Sequence, residues 1–117
     1  MQTIEDLIEP VIDATNEGII SWDDDDVGTF STNLPDYKIS VWSWVDEHDG
    51  SSGISVQLRS AGLSGELIDS TGASEFSTRY ERLASLLAVA RRSARNVDEI
   101  IGLIKKELAV LKKQKSD

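Results

Sequence analysis

Two consecutive segments in the middle of the chain carry the pattern of paired β-strands, and this pattern limits the fold more than any other feature. Residues 37–45 are rich in β-branched and aromatic side chains, and residues 54–58 alternate strictly between apolar and polar. Residues 46–53 between them favour turns, so an antiparallel hairpin is expected. Residues 67–68 lie between glycines and follow the turn at 62–65, which predicts a third strand and hence a three-stranded meander.

Helical periodicity precedes these strands. Thr3 and Asp6 have the spacing of a capping box, in which each side chain satisfies a backbone N–H of the first helical turn. Pro10 cannot donate a backbone hydrogen bond, so we expect a kink, or a short first segment followed by a restart. Gly18 is a stop signal. One helical face carries the apolar residues Ile4, Leu7, Ile8, Val11 and Ile12.

Helical periodicity returns from about residue 74. One side of that segment carries Phe76, Tyr80, Leu83, Ala84, Leu87 and Ala94. Asn96 tolerates a left-handed helix end, and Asp98 can cap a second helix, whose apolar residues are Ile100, Ile101, Ile104, Leu108 and Leu111. The tail 112–117 is expected to fray. The prediction is a single α+β domain over residues 1–117, with an N-terminal helix, a three-stranded antiparallel meander and two C-terminal helices.

Composition narrows the class of protein. The chain has 117 residues, 39% of them hydrophobic, which is enough for one packed core. It has no cysteine, which excludes disulfides, zinc–thiolate sites and thiol catalysis. The first residues lack the pattern of a secretion signal, and no apolar run approaches the roughly 20 residues that span a bilayer. We therefore expect a cytoplasmic protein that does not insert into membranes.

The charge of the chain is polarised. The net charge is −9, and residues 1–58 contain thirteen acidic side chains but a single basic one, Lys38. Residues 59–117 contain eight acidic and eleven basic side chains. Either the two halves neutralise each other across the fold, or the acidic half attracts a basic partner. The overall negative charge disfavours direct binding to nucleic acid.

Four consecutive aspartates, Asp23, Asp24, Asp25 and Asp26, repel one another and predict a flexible, hydrated loop near residues 23–35. Asp23 and Asp25 match the start of a calcium-binding loop, but Val27 and Leu34 occupy positions that need oxygen ligands. The alternative to a solvated loop is that the run imitates a row of phosphates for a basic partner.

The remaining polar residues do not form a known catalytic or metal motif. His48, the single histidine, lies in an acidic turn, and Ser64 lacks the spacing of a serine hydrolase nucleophile. No cofactor is expected, and the sequence leans away from an enzyme. A small enzyme or ligand binder with a pocket between sheet and helices is the alternative.

Trp42 and Trp44 share one face of the strand at residues 37–45, whereas Ile39, Val41 and Val45 share the other. Either a helix or the segment 22–35 covers the two rings, or they form an exposed patch for a partner or a second copy.

Three arginines, Arg91, Arg92 and Arg95, cluster near the end of the predicted helix that begins at about residue 74. There they oppose the negative end of the helix dipole and are able to pair with the acidic half.

Two segments carry a resemblance to other proteins. Residues 14–22, Ala-Thr-Asn-Glu-Gly-Ile-Ile-Ser-Trp, and residues 90–98, Ala-Arg-Arg-Ser-Ala-Arg-Asn-Val-Asp, resemble small uncharacterised bacterial and phage-borne proteins with a helix, three-stranded meander, helix layout. The resemblance implies this layout and no particular activity.

These observations favour a non-enzymatic protein-binding or regulatory domain. Its partner would be another protein or a second copy of the chain. One version is self-association, and another is an acidic decoy that inhibits a basic partner. The partner-binding candidates are the two tryptophans, the four aspartates and the three arginines.

Overall fold

The computed structural model describes residues 1–25, 27–63 and 65–115. A 3-10 turn at Ile4–Leu7 leads into a series of helices and strands: α1 (Ile8–Asn16), β1 (Asp23–Asp24), β2 (Thr29–Asn33), β3 (Tyr37–Val45), β4 (Ser52–Ser60), β5 (Leu67–Ser74), α2 (Tyr80–Ala94) and α3 (Val97–Lys115).

The five strands form one antiparallel sheet in sequence order, β1-β2-β3-β4-β5. Val41 in the central strand β3 lies opposite Phe30 of β2 on one side and Val56 of β4 on the other. Ile54 of β4 lies opposite Ala73 of β5. These residues are buried and share one face of the sheet. The α+β class and the order of helices and strands are as the sequence predicts.

The predicted strand number is wrong, because the sheet has five strands and not three. The two additional strands, β1 and β2, lie in the segment 23–35 that was expected to be a loop. The carboxylate of Asp25 makes this hairpin compatible with the acidic run. Its Oδ1 accepts hydrogen bonds from the backbone N–H groups of Val27 and Thr29, both at 3.0 Å, so one of the charges is used to close the turn.

The core lies between one face of the sheet and the helices α1 and α2. Buried residues of β2, β3, β4 and β5 meet buried residues of both helices, and this core contains Ile4, Ile8, Val11, Trp22, Phe30, Ile39, Val41, Ile54, Val56, Ala73, Leu83, Leu86, Leu87 and Ala90. The opposite face of the sheet, which carries Trp42 and Trp44, is not covered by α1 or α2. The sheet is therefore packed on one face, as expected for an antiparallel meander.

The signals for helix ends near the N terminus are confirmed. Asp6 accepts a hydrogen bond from the backbone N–H of Thr3 at 2.8 Å. A short 3-10 segment ends at Leu7 and α1 restarts at Ile8, so that Pro10 lies in the first turn, where its missing N–H has no partner to lose. Gly18 has φ +76° just after α1 ends, a conformation in which a side chain would be strained.

The C-terminal half contains one correction at the start of α2. This helix begins at Tyr80 and not near residue 74, and Phe76 is 83% exposed instead of packing in the core. The chain first makes a turn in which the backbone N–H of Ser77 donates to the carbonyl of Ser74. Asn96 adopts φ +51° between α2 and α3, which confirms the predicted left-handed corner.

Helix α3 projects from the rest of the protein. The radius of gyration is 17.8 Å, whereas a compact chain of this length has a value of about 13 Å. The longest dimension is 63 Å, and none of the residues of α3 is buried. The helix runs through Lys115, so the predicted fraying of residues 112–115 is not seen, and residues 116–117 lie outside the described residues. Across residues 1–25, 27–63 and 65–115, every helix is too short or too polar to cross a membrane.

Candidate protein-binding surface

Helix α3 exposes a large apolar surface. Seven of its isoleucine, leucine and valine side chains have exposed fractions between 42% and 59%: Ile100, Ile101, Leu103, Ile104, Leu108, Val110 and Leu111. Single exposed apolar residues are ordinary on protein surfaces, but a continuous exposed patch is typical of an interaction site. These seven side chains lie on one 19-residue helix, within about half of its circumference.

Packing does not explain why α3 is helical. Most helices in proteins are held by burial of an apolar face, and α3 buries none of its residues. Intrinsic propensity is weak in the first half of α3, because Val97, Ile100 and Ile101 are β-branched and Gly102 follows them. A contact that covers the apolar side chains would supply the missing stabilisation.

The apolar side chains of α3 have the spacing of a helix–helix interface. Ile101, Ile104, Leu108 and Leu111 are separated by three, four and three residues, so they lie along one stripe of the helix. We call these four residues the α3 row. The interval 3-4-3 is the same in both directions along the helix. A second helix of the same sequence therefore presents a matching row, whichever way it runs.

Trp42 and Trp44 are partly buried on the sheet face opposite α1 and α2. The segment 22–35 does not fold over them, because its strands extend the sheet beside β3. The Nε1 of Trp44 donates to Ser55 Oγ at 3.0 Å, and its ring lies against Gly53 of the neighbouring strand. The sheet itself therefore covers part of Trp44, and both rings retain an exposed portion.

The aspartate run is divided between different environments. Asp23 is exposed on β1, and Asp24 is partly buried with its Oδ2 3.9 Å from Arg95 Nε. Asp25 closes the β1–β2 turn through its two backbone hydrogen bonds. Asp26 lies outside the described residues. At least two of the four side chains thus interact within the fold.

The arginine cluster also interacts within the fold. The guanidinium groups of Arg91 and Arg95 each lie 5.8 Å from the centre of the Phe30 ring, and Arg92 Nη2 is 2.8 Å from Asp98 Oδ1. The structure therefore brings two of the predicted candidates together, Arg95 and Asp24.

Two further ion pairs join the basic and the acidic halves. Arg79 Nη1 is 2.6 Å from Glu5 Oε1, and Arg82 Nε is 3.8 Å from Glu9 Oε1. These contacts support the interpretation that the two halves partly neutralise each other.

A cavity of about 260 Å³ lies at the corner between the end of α1 and the junction of α2 with α3. Its walls come from both segments that carry the resemblance, including Thr15, Asn16, Ser93 and Asn96. Between sheet and helices, where the sequence suggested a pocket, a space of about 10 Å³ remains beside Ile8. The corner cavity is thus one place where the structure offers room for a small molecule.

The next question is whether the described residues form a metal-binding or catalytic site. Among residues 1–25, 27–63 and 65–115, no group of three or more histidine, aspartate or glutamate side chains is arranged to hold a metal ion. The backbone N–H of His48 donates to Asp46 Oδ1 at 2.8 Å, in the exposed turn where the sequence placed it. Ser64 lies outside the part of the chain that the structure describes.

The α3 row was not among the partner-binding candidates from the sequence. Periodicity identifies its residues as one face of a helix, but the same pattern describes a face packed into a core and a face packed against a partner. A signal was present in the other elements. Two helices suffice to cover one face of a small sheet, so a third amphipathic helix covers either the face with Trp42 and Trp44 or a partner.

No protein family, curated protein or solved structure matches this chain.

Proposed function

We propose that this protein is a non-enzymatic, self-associating protein-binding domain that binds a second copy of itself through α3. The observation that carries the proposal is the exposed apolar surface of α3. This 19-residue helix buries none of its residues. Helix-to-helix recognition uses apolar residues at intervals of three and four, which is the spacing of the α3 row.

The symmetry of the α3 row supports a second copy as the occupant. In a two-fold dimer the same patch serves on both subunits and must be complementary to itself. The 3-4-3 interval meets this condition, because Ile and Leu side chains meet Ile and Leu side chains at every level of the helix pair.

The expected energetics suit a concentration-dependent dimer. Each half-exposed Ile or Leu gains about 1 kcal/mol when it is covered, half of the value for complete burial. The four side chains of the α3 row on each of two copies give roughly 8 kcal/mol. This gain is of the same size as the cost of association, about 4–15 kcal/mol. Association should therefore depend on protein concentration.

The acidic-decoy version has less support from the geometry. Asp25 is occupied by the β1–β2 turn, and Asp24 lies near Arg95, so the run does not present four parallel carboxylates to a partner.

The experiment is a measurement of molar mass by multi-angle light scattering from about 1 µM to about 1 mM protein, a range that covers binding free energies from about −8 to −4 kcal/mol. The wild-type mass should rise from monomer to dimer. The variant Ile104→Gln with Leu108→Gln should remain monomeric, since glutamine keeps the helix propensity but removes the apolar contact.

The matched control is Lys106→Gln with Ala109→Gln, which places the same two amides on the opposite side of α3. This control should dimerise like the wild type. A wild-type protein that stays monomeric throughout the range, or a control that loses association as completely as the test variant, would contradict the proposal.

A further inference from the structure

Helix α3 differs in charge from the rest of the protein. Residues 1–96 contain seventeen acidic and seven basic side chains, for a net charge of −10. Residues 97–115 contain three acidic and five basic side chains, and three of the lysines, Lys112, Lys113 and Lys115, lie in the last turn of α3. The two acids Asp98 and Glu99 lie in its first turn. The projecting end of α3 is thus basic. Its attached end begins with these two acids and follows the arginines Arg91, Arg92 and Arg95 of a body whose net charge is negative.

This asymmetry distinguishes the two ways in which a pair of α3 helices can run. In a parallel pair the two acidic bodies would lie side by side, and the two lysine-rich ends would lie together. In an antiparallel pair the lysine-rich end of each copy lies beside the acidic attached end of the other. Complementary charges select orientation in protein interfaces, because like charges that face each other are unfavourable.

We infer that two copies of this protein associate through an antiparallel pair of α3 helices, in which the lysine-rich end of each copy lies against the acidic body of the other. The inference rests on the proposed self-association. The symmetric interval of the α3 row sets the register: Ile101 of one copy lies opposite Leu111 of the second copy, and Ile104 lies opposite Leu108 of the second copy.

The same register places Asp98, whose Oδ1 also lies 2.8 Å from Arg92 Nη2 of its own chain, close to Lys112 of the second copy. This contact lies on one flank of the pair. The helix dipoles also favour the antiparallel pair, since this arrangement brings the positive end of one helix near the negative end of the other. Both contacts are absent from the parallel arrangement.

The absence of cysteine from the chain makes a disulfide test specific. Ile101→Cys and Leu111→Cys are prepared as two separate variants of the full chain, one with an affinity tag that changes its mass, and are mixed and oxidised. In the antiparallel pair these two positions face each other, within the Cα separation of about 4.4–6.8 Å that a disulfide needs. Two copies of Leu111 would instead lie about 15 Å apart along the axis.

The expected result is a mixed disulfide between the two variants in clear excess over both homodisulfides. Homodisulfides of Leu111→Cys as the main product would establish the parallel pair. That result would overturn this inference and leave the self-association in place. Wild-type protein that remains monomeric would overturn both.

A second measurement avoids substitution in the α3 row. Lys113 lies on the opposite side of the helix from the α3 row. Spin labels on Lys113→Cys in the two copies should be separated by about 20 Å along the helix axis, and the measured distances between the labels should include this separation. A short distance that shows no such displacement would contradict the antiparallel pair. The light-scattering mass of the labelled protein must first show that it still dimerises.

Discussion

The indole Nε1 of Trp22 donates a hydrogen bond to Thr15 Oγ1 at 2.9 Å, and Thr15 Oγ1 in turn donates to the carbonyl of Val11 at 2.8 Å. The backbone N–H of Trp22 donates to Ser93 Oγ at 3.1 Å. Trp22 is 3% exposed, so these bonds replace the hydrogen bonds that its N–H groups would make to water. Trp22 therefore joins the end of α1 to the end of α2, and its neighbours in sequence lead into the sheet.

Thr15→Val is predicted to lower the free energy of unfolding by about 1–3 kcal/mol, because valine has the same shape but leaves the buried indole N–H without an acceptor. Urea denaturation followed by Trp fluorescence measures this change. The exposed Thr78→Val is the matched control and should change stability by less than about 0.5 kcal/mol. Equal effects of the two substitutions would show that the hydrogen bond does not stabilise the corner.

Gly53→Ala should displace the ring of Trp44. A Cβ atom at this position would lie 2.6 Å from Trp44 Cε2 and 2.6 Å from the carbonyl oxygen of Ala73, both closer than carbon contacts allow. Overpacking of this kind costs about 1–3 kcal/mol. The near-ultraviolet circular dichroism of the tryptophans should change together with the stability.

The control for this substitution is Gly102→Ala in α3, where an added Cβ has no neighbour within 4 Å. It should leave the Trp signal unchanged and increase the helix content, since alanine is favoured over glycine in helices by about 1 kcal/mol. If Gly53→Ala folded with an unchanged Trp spectrum, Trp44 would not lie against Gly53 in solution.

Asp49 has a pKa below its usual range, because its carboxylate accepts hydrogen bonds from Ser51. The Oδ1 atom lies 2.7 Å from Ser51 Oγ and 2.8 Å from the backbone N of Ser51. A pKa that is lower in the folded state contributes stability at neutral pH, and this contribution is lost as the pH falls through the folded-state pKa.

Ser51→Ala removes the side-chain donor and should raise the pKa of Asp49 towards the ordinary aspartate value. A carbon-detected NMR titration of the carboxylate measures the shift, with the distant Ser85→Ala as the control. A pKa that is the same in wild type and Ser51→Ala would exclude the hydroxyl as its cause.

The regular part of the fold could be predicted from the sequence because its signals are local. The strand at residues 37–45 has the predicted bounds, since its β-branched and aromatic residues need no distant information. Gly18 and Asn96 likewise marked helix ends through their backbone preferences. Strands β1 and β2 were missed because the repulsion between neighbouring aspartates dominated the interpretation. The compensating hydrogen bonds of Asp25 depend on the turn itself.

The candidate surface could be predicted only in part. The sequence identified Ile101, Ile104, Leu108 and Leu111 as a helical face, but whether that face is covered depends on how many helices the sheet accommodates. Conversely, Arg95 and Asp24 were considered as partner contacts, and the fold brings them towards each other. Both outcomes have the same cause, because distances between remote residues are set by the tertiary structure.

The most direct test of the central claim is the amide hydrogen exchange of α3 as a function of protein concentration. A lone helix without buried residues opens readily, so the α3 amides should exchange fast in dilute protein. They should become protected as the concentration rises, while the amides of α2 stay equally protected throughout. Exchange of the α3 amides at one constant rate from about 1 µM to about 1 mM would contradict the claim that α3 binds a second copy.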